Sequence, residues 1–445
     1  MRILIRSLAL AVVLAGLAPA EGLDPETAAR WLQAGALEPE EAVAAWREAK
    51  LEPEAVLKLV QELGPERDEA LAPGTHTVQL TDGAERTSDA YLFVPEAAAK
   101  DGSYRVLIFL HGIGGNSERA FKAGCQLAPE HTIVIGPSSI RPPDDEPYED
   151  LRTASRYGVN VMKRFKTWWR YQPDAFPLQA LRFVRSRFRV DHDGVILAGY
   201  SMGGFGTWNL GLRYHDRFAG IAPMAGGISR EEFALGTDEL SRSLLGNVRG
   251  TPTWFLHGDE DEVVPVKFDR KTRDELQAAK IAHTYHEVKD GKHVLTGFMQ
   301  GNALTEELRI WISAQERDPH PQRVEHHAIG AYHGGAYWVR LDEIDERARV
   351  LAIGKKRTIQ VLAEGVRRFT VFLDPEVVDA SKRITVSVNG KKAAKAKVEP
   401  SLEAIAESLH RTGDPSLTYS RSLTIEVPDG LPAVPPAAWA AARKK

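Results

Sequence analysis

The stretch "VILAGYSMGGFGTWNLGLRYH", residues 195–215, decides the fold of this chain. An apolar run typical of a buried strand leads into Gly-Tyr-Ser-Met-Gly, and a helical stretch follows. The pentapeptide fits Gly-x-Ser-x-Gly, in which a sharp strand-to-helix turn lifts the serine hydroxyl above a sheet. Flanking glycines suit such a turn because it has no room for bulk. The pattern predicts Ser201 as a nucleophile; a glycine turn without chemistry is the alternative.

Around this stretch, apolar strand-like runs alternate with amphipathic helical ones. Continuous apolar runs separated by helices predict an α/β fold whose mainly parallel sheet has helices on both faces. Such sheets bind ligands at the carboxyl ends of their strands. The predicted strands are 105–110, 132–136, 194–199, 219–224, 253–256 and 283–288, and helices are predicted at 178–188 and 267–280.

A serine nucleophile requires a histidine base and a carboxylate that orients the histidine. Both groups follow the serine in the expected order, in "TPTWFLHGDEDEVVP" (251–265) and "VKDGKHV" (288–294). Each segment places its polar residues just after a predicted strand, so all three groups meet at one edge of the sheet. His293 is the predicted base. The acidic loop offers Asp259, Glu260, Asp261 and Glu262, and the residues alone leave the choice among them open.

The reaction also needs two backbone N–H donors for the negatively charged oxygen of the transition state. The residue after the nucleophile, Met202, supplies one. The glycine-rich loop in "VLIFLHGIGGN" (106–116) follows an early strand, and we assign the second donor to Ile113. The histidines of the two "HG" pairs, His111 and His257, are expected to brace loops rather than to transfer protons.

The segments "FLHGIGGN", "DHDGVILAGYSMGGFGTWNLGLRYHDRFAGIAPMAGG", "PTWFLHGDEDEVVP" and "DGKHV" resemble the α/β-hydrolase superfamily. The resemblance is closest to polyhydroxybutyrate depolymerase-like and feruloyl or acetylxylan esterase-like proteins, and it extends to the catalytic domain of prolyl oligopeptidase-like enzymes. It covers roughly residues 90 to 315. It implies that Ser201 is the nucleophile, Asp261 the acid and His293 the base. The mechanism implied requires no metal and no organic cofactor.

The amino-terminal segment predicts export. "MRILIRSLALAVVLAGLAPAEG" combines arginines, an apolar run and a small-x-small cleavage pattern, so residues 1–20 are predicted to be a signal peptide. An uncleaved anchor is the alternative, but the run is shorter than the ~20 residues that span a bilayer. We expect a periplasmic or extracellular protein without stable membrane insertion.

Residues 21–74 carry a short repeat, "LDPE" at 23–26 and "LEPE" at 37–40 and 51–54. Each copy has an acid at the helix N-cap and proline at the first helical position, which predicts three short helices. Trp31, Trp46 and Leu57 are expected to face inward. The segment is either a helical cap packed on the next domain or a module that binds a partner.

The hydrolase domain is predicted over 75–315 and is followed by a small β-rich domain over 323–430. Its predicted strands are 336–341, 358–362, 369–373, 384–388 and 423–427, with a helix at 401–409. "VNGKK" (388–392) predicts a hairpin, because Asn-Gly supplies the positive φ angles of a tight turn. The tail, 431–445, is expected to be loosely ordered.

Composition excludes several classes of partner and site. The net charge is −4, which leaves no basic surface for nucleic acid. Cys125 is the sole cysteine, so an intrachain disulfide and a cysteine-rich metal site are excluded. His326, His327 and His333 are expected to lie in a solvated linker rather than to bind a metal.

The substrate is the least determined property. Trp168, Trp169 and Tyr200 are candidates for the walls of the acyl or alcohol pocket, and packing against the sheet is the alternative for the two tryptophans. We expect a carboxylic ester substrate, including polysaccharide-linked or polymeric esters. The competing hypotheses are a serine peptidase of prolyl oligopeptidase type and a non-catalytic module that binds glycans or proteins.

Overall fold

The computed structural model describes residues 22–64, 71–113, 117–140, 168, 172–228, 239–295, 303–330, 334–428, 430 and 434–444. The helices in these ranges are α1 Pro25–Ala34, α2 Pro39–Glu48, α3 Pro53–Gln61, α4 Ser117–Leu127, α5 Phe176–Arg187, α6 Met202–Arg213, α7 Glu239–Arg242, α8 Lys267–Ala278, α9 Ala303–Ala314, α10 Leu402–Thr412 and α11 Pro436–Ala442. The strands are β1 Gly74–Thr81, β2 Thr87–Val94, β3 Tyr104–Leu110, β4 Thr132–Pro137, β5 Val190–Tyr200, β6 Gly220–Met224, β7 Trp254–Gly258, β8 Thr284–Val288, β9 Arg323–Ile329, β10 Gly335–Ala336, β11 Val339–Lys355, β12 Thr358–Phe372, β13 Ile384–Val388, β14 Lys391–Ala396 and β15 Ser422–Glu426. No helix within these ranges has the length and apolar character needed to cross a bilayer.

The first sheet has eight strands in the order β1-β2-β4-β3-β5-β6-β7-β8. Strands β3 to β8 are parallel, and β2 pairs antiparallel with both β1 and β4. The predicted mainly parallel sheet is therefore confirmed, and the six predicted strands correspond to β3–β8. The prediction did not include β1 and β2. Residues that are more and less buried alternate along these strands, so β1 and β2 lack the continuous apolar runs present in β3–β7.

Helices cover both faces of this sheet. Along β3, Val106, Ile108 and Leu110 pack into one core, with side chains of α5 and α6. Leu107 and Phe109 point to the opposite face, where they pack with side chains of α4 and α9. Because alternate side chains of β3 point to opposite faces, helices pack on both sides of the sheet. The strands are parallel, so the loops at the carboxyl ends of β3, β5, β7 and β8 lie along the same edge.

The second sheet has seven strands and contains the predicted Asn-Gly hairpin. Asn389 and Gly390 have φ angles of 49° and 81°, and β13 pairs antiparallel with β14 across them. Strands β11 and β12 are longer than predicted, with 17 and 15 residues, and β9 and β15 join their edges. The predicted strands 358–362 and 369–373 lie at the two ends of the single strand β12, because the charged Glu364, Arg367 and Arg368 between them interrupt the apolar pattern.

The three predicted amino-terminal helices are present as α1–α3, and their core is completed by α10 of the carboxyl-terminal region. Trp46 is fully buried there and Leu57 is partly buried, as predicted. Trp31 is 37% exposed, so its predicted inward orientation is wrong. The buried face of α1 is formed by Ala28, Ala29, Leu32 and Gln33, and at 100° per residue Trp31 lies on another face.

The prediction of a loosely ordered tail is wrong for residues 434–444. Pro436–Ala442 forms α11, in which Trp439 is 1% exposed and its indole N–H donates to Glu364 over 3.2 Å. The Arg349 guanidinium lies 4.1 Å from the centre of the Trp439 ring. The prediction relied on the alanine- and proline-rich composition of the segment and did not take account of Trp439, whose burial anchors α11.

A buried ion-pair cluster joins the first sheet's helices to the carboxyl-terminal region. The carboxylate of Asp414 lies 2.8 Å from Arg185 and 2.9 Å from Arg317, and all three side chains are buried. Arg317 also pairs with Asp193 over 2.7 Å. Burial opposes the charge of Asp414, but the two arginines hold the pKa of this carboxyl well below its ordinary value. The cluster therefore contributes to stability only while Asp414 is ionised.

Candidate active site

Ser201 occupies the turn between β5 and α6 with a strained backbone. Its φ and ψ angles are 58° and −119°, which is an uncommon conformation for a residue with a Cβ atom. The flanking glycines have steric causes: a Cβ atom on Gly199 would lie 2.4 Å from the Gly203 carbonyl oxygen, and one on Gly203 would lie 2.1 Å from that of Leu110. Backbone atoms therefore leave no room for a side chain at either glycine, as the sequence predicted for this turn.

The structure brings together Ser201, His293 and Asp261. His293 Nε2 lies 2.8 Å from the Ser201 hydroxyl oxygen, and His293 Nδ1 lies 2.6 Å from Asp261 Oδ2. The Asp261 side chain is fully buried, and its Oδ1 accepts hydrogen bonds from the backbone N–H groups of Val263 (2.9 Å) and Val264 (2.7 Å). Among the four carboxylates of the acidic loop, Asp261 is thus the one that contacts the histidine.

The hydrogen-bond pattern defines the state of His293. A carboxylate accepts hydrogen bonds, so Nδ1 carries the proton that faces Asp261. Nε2 is then free to accept the proton of the Ser201 hydroxyl, which is the tautomer that general-base catalysis requires. Tyr200 lies beside the imidazole, with ring centres 5.1 Å apart. Burial raises the pKa of the Tyr200 phenol above its ordinary value, so this ring stays neutral next to the histidine.

The loop after β3 approaches the serine closely. A Cβ atom on Gly112 would lie 3.4 Å from Cβ of Ser201 and 3.9 Å from its hydroxyl oxygen, so the backbone at Gly112 lies beside the serine. Met202 begins α6, where the first N–H groups have no partner within the helix and form its positive end. Met202 therefore directly follows Ser201 at the start of α6, and Gly112 lies beside the serine; the Ile113 N–H stays a prediction. Residues 114–116 of the loop lie outside the described ranges.

His111 braces this loop, as expected from the sequence. Its Nδ1 donates to the Gly112 carbonyl oxygen over 2.7 Å, and its Nε2 accepts from the backbone N–H of Ser139 over 2.9 Å. Trp168 is buried beside it, with the indole N–H donating to the His111 carbonyl oxygen over 2.9 Å. Trp168 thus packs beneath the loop, which is the packing alternative to a pocket wall. Trp169, the other predicted wall residue, lies outside the described residues.

The prediction of a solvated linker is wrong for His326 and His327, which lie in β9. His326 is fully buried, and its Nδ1 lies 3.2 Å from Nε2 of His215. His327 Nδ1 donates to the Ser243 carbonyl oxygen over 2.9 Å. The third histidine, His333, is outside the described ranges. Within those ranges no group of His, Cys, Asp and Glu side chains is arranged to hold a metal ion.

Sequence reasoning missed two features of this site. Asp269 in α8 contacts His257, but a single aspartate in an amphipathic helix carries no signal of this contact. Ile113, Val263 and Val294 are large apolar residues that are 42%, 66% and 46% exposed. Each is a predicted site residue or lies within two residues of one. This proximity in the sequence is the signal from which apolar side chains near the site could have been predicted.

Comparisons with known proteins give the family. The model of the family named Esterase, described as "Putative esterase", matches residues 83–311, more than half of the chain. An uncharacterized secreted protein of Arthroderma benhamiae is 32% identical over 153 residues, which are 30% of this chain and 16% of that protein. Esterase Rv1288 of Mycobacterium tuberculosis is 35% identical over 85 residues, 17% of this chain and 19% of that protein. The matched stretches span less than a fifth of either relative.

Solved structures of esterases are similar to about half of the chain. A thermostable esterase is 20% identical, with 55% of this chain and 63% of that chain covered and a TM-score of 0.38. A ferulic acid esterase is 17% identical, with 54% and 98% covered and a TM-score of 0.39. The family match and the eight-stranded sheet agree with each other: the chain belongs to the Esterase family and has an α/β-hydrolase fold.

Proposed function

We propose that this protein is an exported serine hydrolase that cleaves carboxylic esters through an acyl-enzyme intermediate, with Ser201, His293 and Asp261 as its catalytic triad. The observation that carries the proposal is the continuous hydrogen-bond chain from the Ser201 hydroxyl through both nitrogens of His293 to Asp261. A structural serine in a glycine turn has no need of a buried carboxylate behind a histidine. The strained backbone of Ser201 supports the same role.

The proposed reaction begins when the Ser201 oxygen attacks the ester carbonyl carbon while His293 Nε2 accepts the hydroxyl proton. The negative charge that forms on the carbonyl oxygen is stabilised by the N–H groups of Met202 and Ile113. Collapse of this intermediate breaks the bond to the alcohol, which leaves with the proton from His293. Water then attacks the acyl-enzyme, again with His293 as base, and releases the carboxylic acid and free Ser201.

The proposed substrate is an ester with an apolar group near the scissile bond. Ile113, Val263 and Val294 expose apolar side chains next to the oxyanion loop, the acid and the base, and Tyr200 flanks His293. Exposed apolar side chains around a polar centre are typical of sites that bind an apolar ligand. Polysaccharide-linked esters with an apolar acyl group and apolar polymeric esters fit this description, and both occur outside the cell, which agrees with the export predicted from residues 1–20.

The test compares substrate classes and one matched pair of variants. The purified protein is offered p-nitrophenyl acetate and butyrate beside a peptide anilide, and Ser201→Ala is compared with Ser313→Ala, a change at an exposed serine of α9. We expect ester turnover that falls by about 10³-fold or more in Ser201→Ala and is unchanged in Ser313→Ala. Peptide cleavage without ester turnover would overturn the proposed substrate class. Full activity of Ser201→Ala would overturn the mechanism.

Export is tested separately. Expression of the full chain in a bacterial host, followed by amino-terminal sequencing of the periplasmic and culture fractions, is expected to give a protein that starts near Glu21. Retention of the uncleaved chain in the cytoplasm would contradict export without affecting the proposed chemistry.

A further inference from the structure

Behind Asp261 lies a buried pair of side chains, His257 and Asp269, that the mechanism above does not use. His257 is at the end of β7, and both of its ring nitrogens face acceptors. Nδ1 lies 2.7 Å from Asp269 Oδ2, and Nε2 lies 2.7 Å from the Val264 carbonyl oxygen. A carbonyl oxygen only accepts, so Nε2 carries a proton.

The charges around His257 favour a second proton on Nδ1. The ring lies between two carboxylates, because Nε2 is also 3.4 Å from Asp261 Oδ2. Burial lowers the pKa of His257, but the contacts with Asp269, Val264 and Asp261 outweigh burial and raise it overall. Asp269 is itself buried, and its Oδ1 has no hydrogen-bond partner in the described part of the chain, so its negative charge is stabilised by His257. The two side chains therefore form an ion pair.

We propose that the His257–Asp269 pair is a positioning device for Asp261. It acts in two ways. His257 Nε2 donates to the Val264 carbonyl oxygen, and the N–H of the same residue donates to Asp261 Oδ1. Val264 therefore links the Asp261 carboxylate to the His257 ring. The His257 cation also lies 3.4 Å from Asp261 Oδ2, where it attracts the carboxylate. The proposed role rests on the Ser201–His293–Asp261 mechanism.

The pair has a predictable effect on the base. His257 Nε2 and His293 Nδ1 lie 3.4 Å and 2.6 Å from the same oxygen of Asp261, so the two rings are close enough to interact electrostatically. A cation at His257 repels the positive charge that His293 gains when its Nε2 takes up a proton. Loss of that cation removes the repulsion, so a doubly protonated His293 should persist to higher pH. The titratable groups that face this network are Asp261, Asp269, His293, Tyr200 and Tyr285.

Asp269→Asn separates charge from geometry. The asparagine amide can donate to Nδ1 of a neutral His257, which still donates from Nε2 to Val264, so the acidic loop keeps its contact while the cation is lost. We expect the acid limb of the kcat/KM profile for p-nitrophenyl acetate to move to higher pH by less than about one pH unit, because the Asp269 anion is lost together with the His257 cation and only the cation lies on the Asp261 side of the ring. The matched control is Asp274→Asn, an exposed aspartate of the same helix, which is expected to leave the profile unchanged.

His257→Leu removes both effects. The acidic loop loses its contact with β7, and we expect kcat to fall by about 10²-fold with little change in KM, as follows from a small displacement of a catalytic group. Circular dichroism establishes that each variant is folded. A merely structural pair would change stability and leave the pH profile of Asp269→Asn where it is in the wild type.

A second readout does not depend on ester turnover. The proton between His293 Nδ1 and Asp261 gives a downfield NMR signal whose titration reports the pKa of His293 directly, and ¹⁵N-labelled histidine shows whether both nitrogens of His257 are protonated. An unchanged His293 titration in Asp269→Asn, or a neutral His257 ring in the wild type, would overturn the charge effect, and an unchanged kcat in His257→Leu would overturn the link through Val264. Absence of ester hydrolysis by the wild type would instead contradict the proposed function, and the NMR titrations would still decide the role of the pair.

Discussion

Replacing Asp261 with asparagine exchanges one oxygen of a buried carboxylate for an amide nitrogen without changing the size of the side chain. Two backbone N–H groups, those of Val263 and Val264, point at Oδ1, so the amide oxygen of the variant must occupy that position. The amide nitrogen then faces His293 Nδ1 and donates a hydrogen bond to it. His293 is driven into the tautomer with its proton on Nε2, which cannot accept the proton of Ser201.

The expected loss follows from this tautomer. Asp261→Asn should lower kcat by about 10⁴-fold, equivalent to about 5.5 kcal/mol of transition-state stabilisation, while KM changes little because Asp261 is buried beneath the reacting groups. The assay is p-nitrophenyl acetate hydrolysis with active-site titration to correct for unfolded protein.

The matched control lies in the same loop. Asp259→Asn should retain most of the activity, because the structure shows no contact between Asp259 and His293, and alanine at the exposed Glu260 or Glu262 should matter little. A nearly active Asp261→Asn together with a crippled Asp259→Asn would refute the assignment of the acid.

Three further changes test the packing that supports the site. Gly203→Ala adds a Cβ atom 2.1 Å from a backbone oxygen of β3. We expect the free energy of unfolding to fall by more than about 4 kcal/mol and ester turnover to be lost. Gly250→Ala, with nothing within 4 Å of its Cβ, should be tolerated in a thermal melt. Asp414→Asn leaves two buried arginines without their shared partner and should cost about 3–5 kcal/mol in denaturant unfolding. The pKa of Asp414 is lowered in the folded state, so its contribution to the free energy of unfolding is complete above pH 3.8 and is lost as the pH falls through the folded pKa. The difference in unfolding free energy between the wild type and Asp414→Asn should therefore shrink in acid. A difference that stays constant with pH would contradict the ion-pair account. Trp439→Ala should cost about 3–5 kcal/mol and Trp31→Ala less than about 1 kcal/mol, and equal melting temperatures of the two variants would show that α11 is not anchored.

Local patterns determined the catalytic half of the fold. Strands β3–β7 were predictable because each contains a continuous apolar run, whereas the predicted β8 is the polar edge strand TYHEV. The Gly-x-Ser-x-Gly turn could be located because its glycines are required by contacts within a few residues and with the neighbouring strand. Ser201 and His293 followed from their order after strands. The edge strands β1 and β2 were missed because half-exposed antiparallel strands carry a weaker pattern.

The sequence by itself could narrow the acid only to one loop, since four adjacent carboxylates have the same chemistry. The tertiary structure selected Asp261, because the turn after β7 directs this side chain to His293 and two backbone N–H groups hold it there. The pairing of His257 with Asp269, the completion of the amino-terminal helical core by α10 and the anchoring of α11 by Trp439 also depend on contacts between segments far apart in the chain or on a single side chain. Periodicity describes which face of an element is buried; it does not describe which distant element covers that face, and this is what only the packed chain decided.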